Sequence, residues 1–325
     1  MTQRVLVTGG SGFIGTNLVA ALRTDPDRTV VNLDTEPPRD PEHVGHWAKA
    51  DLLAAGEVAA LVADLRPTRV YHLGARTDLH GEGVGDYAAN TDGVRNVVTA
   101  LNALPEPADV VYASSRLVCR IGHRPSGETD YSPPNAYGES KVRTEQIVRE
   151  LAAHRHVIVR PTSIWGPWFE VPYRDFFDSV RAGLFWPIRG AEIPKSFGYV
   201  GNTVHQLQRL MTSLDRVEGR TLYLADYPPI EVNAFAAAIR EAFGKPPLRQ
   251  VPVGALRAVA RAGDVAKRLG WKEARLTSYR LDNMLTPMVY DLSALDEVVG
   301  ELPFSVAAGI QATVDWMSTE GERRR

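Results

Sequence analysis

Tyr137 and Lys141 stand four residues apart in Ala136-Tyr137-Gly138-Glu139-Ser140-Lys141, where a helix is predicted to run on to Leu151. Residues at i and i+4 share a helix face, and Ser132-Pro133-Pro134-Asn135 just before them is helix-start chemistry. A tyrosine hydroxyl ordinarily titrates at about 10, too high for a base near neutrality. An ammonium beside it favours the phenolate and lowers that value. Such a phenol can take the proton of a carbinol hydroxyl while the adjacent carbon gives up a hydride. Ser115, at the end of the apolar run Val110-Val111-Tyr112-Ala113-Ser114, is the natural third member, hydrogen-bonded to the reacting oxygen. The three are the candidate catalytic residues.

A hydride needs an acceptor, and the N-terminus provides for one. Val5-Leu6-Val7-Thr8 is followed at once by Gly9-x-x-Gly12-x-x-Gly15 and then by a helical pattern. The chain must turn tightly there and bring backbone N–H groups against a pyrophosphate at a helix N-terminus, where the dipole favours an anion. The strand before and the helix after make the motif specific. Gly9, Gly12, Phe13, Ile14 and Gly15 are therefore candidate contacts to a dinucleotide. Asp34 closes the next predicted strand, where a carboxylate accepts from ribose hydroxyls and repels a 2′-phosphate. NAD is expected over NADP, with the nearby Arg39 as the residue that tempers that reading.

The elements that must carry these groups follow from hydrophobic patterning. Strands are predicted at 4–8, 29–34, 68–73, 109–113 and 156–160, with a weaker one at 47–50. Apolar stripes such as Phe13, Leu18, Ala21, Leu22 and Val94, Val97, Val98, Leu101 mark helices between them. Repeated βα units imply an α/β fold with a doubly wound parallel Rossmann sheet. Residues 161–195 are rich in proline, glycine and aromatics, as a substrate lobe or plain core would be; a strand at 221–225 and helices at 232–243 and 256–269 come later. The expected division is an NAD-binding Rossmann domain at 1–165, with a later contribution from about 196–225. Residues 166–195 and 226–325 are expected to form mainly a smaller, C-terminal substrate lobe.

Bulk properties exclude several classes. The net charge of −2 over 325 residues gives no global attraction to nucleic acid or an anionic membrane. One cysteine, Cys119, allows neither an internal disulfide nor a cysteine zinc site, and it reads as a buried packing residue. His43 and His46 lack partners for a metal, and no metal is expected. His72 reads as a satisfied strand-end residue, with Asp78 and His80 as pocket-edge residues at most. The tail Arg323-Arg324-Arg325 reads as a solvated end. With no apolar run suited to a signal peptide or a membrane span, a soluble cytoplasmic protein is expected.

The glycine loop, the acid and the Ser–Tyr–Lys trio together resemble the extended short-chain dehydrogenases/reductases, of the NAD-dependent epimerase/dehydratase type acting on nucleotide sugars. Asp51-Leu52 falls on the family's adenine-contacting pair and His72-Leu73-Gly74-Ala75 on its post-strand motif, so Asp51, Leu52, Leu73 and Ala75 join the candidate cofactor contacts, as do Tyr137 and Lys141 at the nicotinamide ribose. Arg160-Pro161, Trp165-Gly166-Pro167, Tyr290-Asp291-Leu292-Ser293, Leu302-Pro303-Phe304, Gly309 and Trp316 extend the likeness along the chain. The resemblance implies a nucleoside-diphosphate sugar as substrate and a homodimer through helices near 87–104 and 136–153.

The departures matter as much. Arg116-Leu117 stands where family dehydratases carry an Asp-Glu pair, which argues against water elimination, and Val118-Cys119-Arg120 replaces Val-Tyr-Gly. Ser163 replaces the asparagine that usually contacts the sugar nucleotide. Lys195, in Lys195-Ser196-Phe197, and Arg280 are candidate phosphate cations, each equally readable as a structural charge. The expected reaction is epimerisation, most simply at C4: oxidation by bound NAD+ and return of the hydride to the other face. Alternatives are a reductase or dehydrogenase that turns its cofactor over and, from another class, a non-catalytic NAD-binding protein.

Overall fold

Valine and leucine run unbroken through the predicted strands because both faces of the sheet are covered, as they must be in a parallel sheet. In the computed structural model, which describes residues 3–268, 271 and 277–323, the first half alternates strand and helix. The elements are β1 (Gln3–Thr8), α1 (Phe13–Leu22), β2 (Arg28–Asp34), β3 (Trp47–Lys49), α2 (Ala55–Leu65), β4 (Arg69–His72), α3 (Ala88–Asn102), β5 (Asp109–Ala113), α4 (Ala136–Leu151) and β6 (His156–Pro161). The lobe side adds β7 (Ser163–Trp165), α5 (Tyr173–Ala182), β8 (Ile188–Arg189), β9 (Pro194–Lys195), β10 (Phe197–Tyr199), α6 (Val200–Thr212) and β11 (Thr221–Leu224). It ends with β12 (Ile230–Glu231), α7 (Val232–Ala242), β13 (Val251–Pro252), α8 (Val253–Arg268), α9 (Ser278–Leu285), α10 (Ser293–Val299) and α11 (Val306–Arg323).

Seven strands form one sheet in the order β11-β6-β5-β4-β1-β2-β3, every neighbouring pair parallel. The direction of winding reverses between β1 and β4, which opens the crevice beyond their carboxyl ends where ligands bind in such sheets. Alternation along β1 divides the core. Val5 and Val7 face α1, α6 and α10, whereas Leu6 faces α2, α3 and α4. A third cluster, built on Trp165, Phe169, Phe177, Tyr199 and Phe235, forms the core of the lobe.

One expectation shifts. The helix predicted at 256–269 starts at Val253, straight after β13; Leu269 and the tail residues Arg324 and Arg325 lie outside the described residues. Within the stretch after 226, Leu295, Val298 and Val299 of α10 belong to the core against the sheet.

One buried ion pair joins the sheet, α4 and the start of the lobe. The Arg160 guanidinium donates through Nε to Glu145 Oε1 and through Nη2 to Oε2, both at 2.8 Å. Ser114 Oγ and the Tyr131 hydroxyl donate to the same carboxylate at 2.6 and 2.9 Å. Burial alone would push the Glu145 carboxyl up; the Arg160 bonds and charge, with the two hydroxyls, outweigh it and hold it below its ordinary range. Removing one partner of such a pair strands the other charge in the interior. Arg160→Met is therefore expected to lower unfolding free energy by about 3–5 kcal/mol, read by urea denaturation; an unchanged midpoint would show the pair to be dispensable.

Candidate active site

The loop between β1 and α1 is shaped by close backbone approach. Gly9 has φ +71°, and a Cβ there would come within 2.6 Å of Gly74 Cα; one on Gly15 would come within 2.1 Å of the Gly9 carbonyl oxygen. Gly12 precedes α1 in extended conformation and no side chain caps the helix. The first N–H groups of α1 are thus left for a ligand, at the positive end of the helix. Asp34 frames the far side: its carboxylate oxygens accept from the backbone N–H groups of Ser11 and Glu36 at 3.0 and 3.1 Å. Burial raises its pKa, against those bonds. The second lone pair of each oxygen remains for a ribose hydroxyl.

These groups share one cleft of about 1080 Å³. Gly9, Gly12, Phe13, Ile14, Gly15, Asp34, Asp51, Leu52, Leu73, Ala75, Ser115, Tyr137 and Lys141, separated by up to 132 positions in the chain, all line it. An uncapped helix start, an acid with spare lone pairs and glycines no side chain could replace fit a dinucleotide.

The trio sits where β5 meets α4. Ser115 follows β5, its Oγ accepting the Leu117 N–H at 3.1 Å, and its side chain lies near enough to the Tyr137 hydroxyl to lower that group's pKa. Tyr137 is buried, its ring 5.8 Å from that of Tyr87. Burial pushes its pKa up to about 12, with the Ser115 hydroxyl acting against the rise. Lys141 lines the same cleft, and its Nζ donates to the Ala113 carbonyl at 3.0 Å. An ammonium has three N–H donors, so two remain. Burial pulls the Lys141 ammonium down to about 8, against the charge of Glu145. Arg116 adds a second cation near the phenol.

Three further candidates lie outside the cleft lining. Ser163 is buried in β7, its Oγ accepting from the hydroxyl of Tyr173, which does line the cleft. Lys195 is buried, its Nζ given to the carbonyls of Asn283 and Thr286 at 3.2 and 2.5 Å. Arg280 is exposed on α9. His72 is closed off as well: its Nδ1 pairs with Thr8 Oγ1 at 2.8 Å and burial drops its pKa to about 3, so it stays neutral. Asp78 pairs with Arg76 at 2.6 Å, and His80 is exposed. Cys119 is buried.

Two residues gain weight. Arg39, read only as a neighbour of Asp34, donates to the Ser11 and Trp168 carbonyls at 2.9 and 3.0 Å and pairs with Glu170 at 3.1 Å. It ties the glycine loop to the lobe across the cleft. Arg116 lines the cleft beside Ser115, with Nε and Nη1 buried and without a hydrogen-bond partner among the described residues; its charge lies near the Tyr290 hydroxyl and acts to lower that group's pKa, against burial. The missing Asp-Glu pair was the only sequence signal for it. Among the described residues no group of three or more His, Cys, Asp or Glu side chains could hold a metal ion, and no helix is long and apolar enough to cross a membrane.

A parallel sheet with a glycine-loop crevice where its winding reverses, and a tyrosine and a serine lining the same cleft, has the arrangement of an extended short-chain oxidoreductase. Residues 5–184 match the profile of the NAD dependent epimerase/dehydratase family, and the chain belongs to that family, whose cofactor is NAD. It is 24% identical over 336 residues, 97% of this chain and 96% of the relative, to the N-acetyl-alpha-D-glucosaminyl-diphospho-ditrans,octacis-undecaprenol 4-epimerase of Escherichia coli O157:H7. A 3-beta-hydroxysteroid dehydrogenase of Mycolicibacterium neoaurum is 28% identical over 263 residues, 74% of this chain and 70% of that one. The UDP-glucose 4-epimerase of Thermotoga maritima, solved with UDP-glucose, superposes with a TM-score of 0.72 at 18% identity, covering 98% of this chain and 99% of that one.

A lysine kept charged at such depth is tolerated rather than stabilising. Lys141→Met is expected to cut turnover by about 10²–10⁴-fold while the thermal midpoint does not fall. A falling midpoint would make Lys141 a structural residue first.

Proposed function

We propose that the chain is an NAD-dependent epimerase of sugars carried on a diphosphate, with a nucleoside-diphosphate sugar as the expected form and C4 as the carbon inverted. NAD, when bound, supplies the hydride acceptor that oxidises the carbinol and returns the hydride to the other face. Gly9, Gly12, Phe13, Ile14, Gly15, Asp34, Asp51, Leu52, Leu73 and Ala75 are assigned to hold it, with Tyr137 and Lys141 at the nicotinamide end. Tyr137 takes the proton of the carbinol hydroxyl and gives it back after the sugar has turned, and Ser115 holds the reacting oxygen. A guanidinium cannot accept a proton, so Arg116 offers no base for eliminating water. A dimer through α3 and α4 is part of this reading.

The kinship with a steroid dehydrogenase supports a second reading, net oxidation with the cofactor released at each turnover. The Arg39 clasp favours the first. An epimerase returns its hydride and needs its cofactor to stay, and three bonds from one side chain join the loop that would hold the pyrophosphate to Trp168 and Glu170 of the lobe. That is the observation on which the choice rests.

Protein purified and dialysed at length is expected to retain close to one NAD per chain, measured by chromatography after denaturation, and Arg39→Ala to lose it. The dialysed enzyme should interconvert C4 epimers of a nucleoside-diphosphate hexose, read by NMR, with a polyprenyl-diphosphate sugar as the parallel arm. Net accumulation of NADH with an unchanged sugar centre would establish the dehydrogenase reading.

The half-reaction offers a separate check. Since burial holds the Tyr137 phenol protonated, with a pKa of about 12 in the ligand-free chain, single-turnover oxidation should speed up as pH rises through neutrality. Tyr137→Phe is expected to remove that rise and slow the step by about 10²–10⁴-fold; a pH-independent rate in both proteins would exclude the phenol as base.

A further inference from the structure

Helix α8 presents its apolar surface in the wrong direction for a helix of a water-facing lobe. Only Leu256 and Ala260 are buried. Ala255, Ala258, Val259, Ala262 and Val265 are all exposed, with Val259 at 48% and Val265 at 53%. Their spacing (258, 262, 265 and 255, 259, 262) puts them on one face, and no charged residue falls among them. Arg257, Arg261 and Arg268, at i, i+4 and i+11, form a row along one border of that face. The helix has a single acid, Asp264, and it is turned toward α9, where its carboxylate accepts the Ser278 N–H at 3.1 Å. Trp271 follows, 65% exposed, its N–H given to the Ala266 carbonyl at 3.0 Å. At the other end the Val251 N–H bonds the Pro187 carbonyl at 2.8 Å, which anchors the strand that leads into the helix.

We propose that this face is a peripheral membrane-docking surface, and that its occupant is the headgroup region of an anionic phospholipid bilayer. An uncharged face edged by arginines, with tryptophan at its margin, is what lies in a membrane interface: the apolar side chains enter the acyl boundary and the cations meet lipid phosphates. The arginine stems reach along the apolar face while their heads stay at the phosphate level. The net charge of −2, from which no membrane partner was expected, averages over the whole chain; α8 by itself carries Arg257, Arg261, Lys267 and Arg268 against Asp264. Small side chains and a handful of cations make the attachment reversible, and it requires no spanning segment.

The test uses the intact protein with no sugar present, so its outcome is independent of the epimerase reading. Co-sedimentation is measured with vesicles of phosphatidylcholine alone and with vesicles that also contain phosphatidylglycerol. The protein should bind the anionic vesicles and release in high salt. Arg257→Gln/Arg261→Gln/Arg268→Gln should lower the partition on the order of a hundredfold. Val259→Ser/Val265→Ser, with every charge kept, should lower it as well. Both variants should match the parent in circular dichroism and thermal midpoint. Equal binding to neutral and anionic vesicles, or parental partition in either variant, overturns the proposal. So does self-association that Val259→Ser/Val265→Ser abolishes in a protein that binds no vesicle, since the face would then be a contact between copies.

Discussion

The geometry of the cleft depends on one carboxylate that no solvent reaches. Glu145 is fully buried, and its oxygens take hydrogen bonds from Ser114, next to Ser115, from Tyr131, and from Arg160 at the end of β6. It lies one helical turn after Lys141 and supports that ammonium's charge at depth. A group so placed fixes three things together: the end of β5, the rotation of α4 and the exit of the chain toward the lobe. The interior amplifies each of these interactions, because a low local dielectric strengthens bonds that are made and penalises any left open.

The parts of this arrangement that could be read in the sequence are those whose partners are close in the chain or whose constraint is absolute. Gly9 and Gly15 are legible because no side chain fits, and Gly12 by its spacing between them; Tyr137 and Lys141 because helix geometry sets their relation; the strands because an apolar run has few other uses. Pairing across the fold was not legible. Lys195 has a phosphate-binding residue's chemistry, yet its Nζ is spent on carbonyls 88 and 91 residues further on. Arg39 looked like a modifier of Asp34 and instead grips Trp168, 129 positions away. Spacing puts Lys141 on the helix face of Tyr137, but it holds no information about the bond the Lys141 Nζ also gives to the Ala113 carbonyl.

Burial acts on the two titrating groups of the cleft in opposite directions. It pushes the Tyr137 phenol up, away from the phenolate a base needs, and pulls the Lys141 ammonium down only to about 8, so the ammonium keeps its charge near neutrality. What changes the balance is added charge, since the field of a cation in a water-poor cleft acts at close to full strength.

The seventh strand has a consequence for how the protein comes to exist. β11 lies at the outer edge of the sheet against β6, although about sixty residues separate the two in the chain. During synthesis the first six strands can assemble while β6 still shows an unpaired row of N–H and C=O groups, the kind of border that recruits a stray strand. Emergence of residues 221–224 from the ribosome seals that border. Because chains emerge from N to C and domains fold as units, the stretch between β6 and β11 is made in the interval during which the nascent sheet most needs protection, and the hazard of a stray strand is greatest while those residues are still being added.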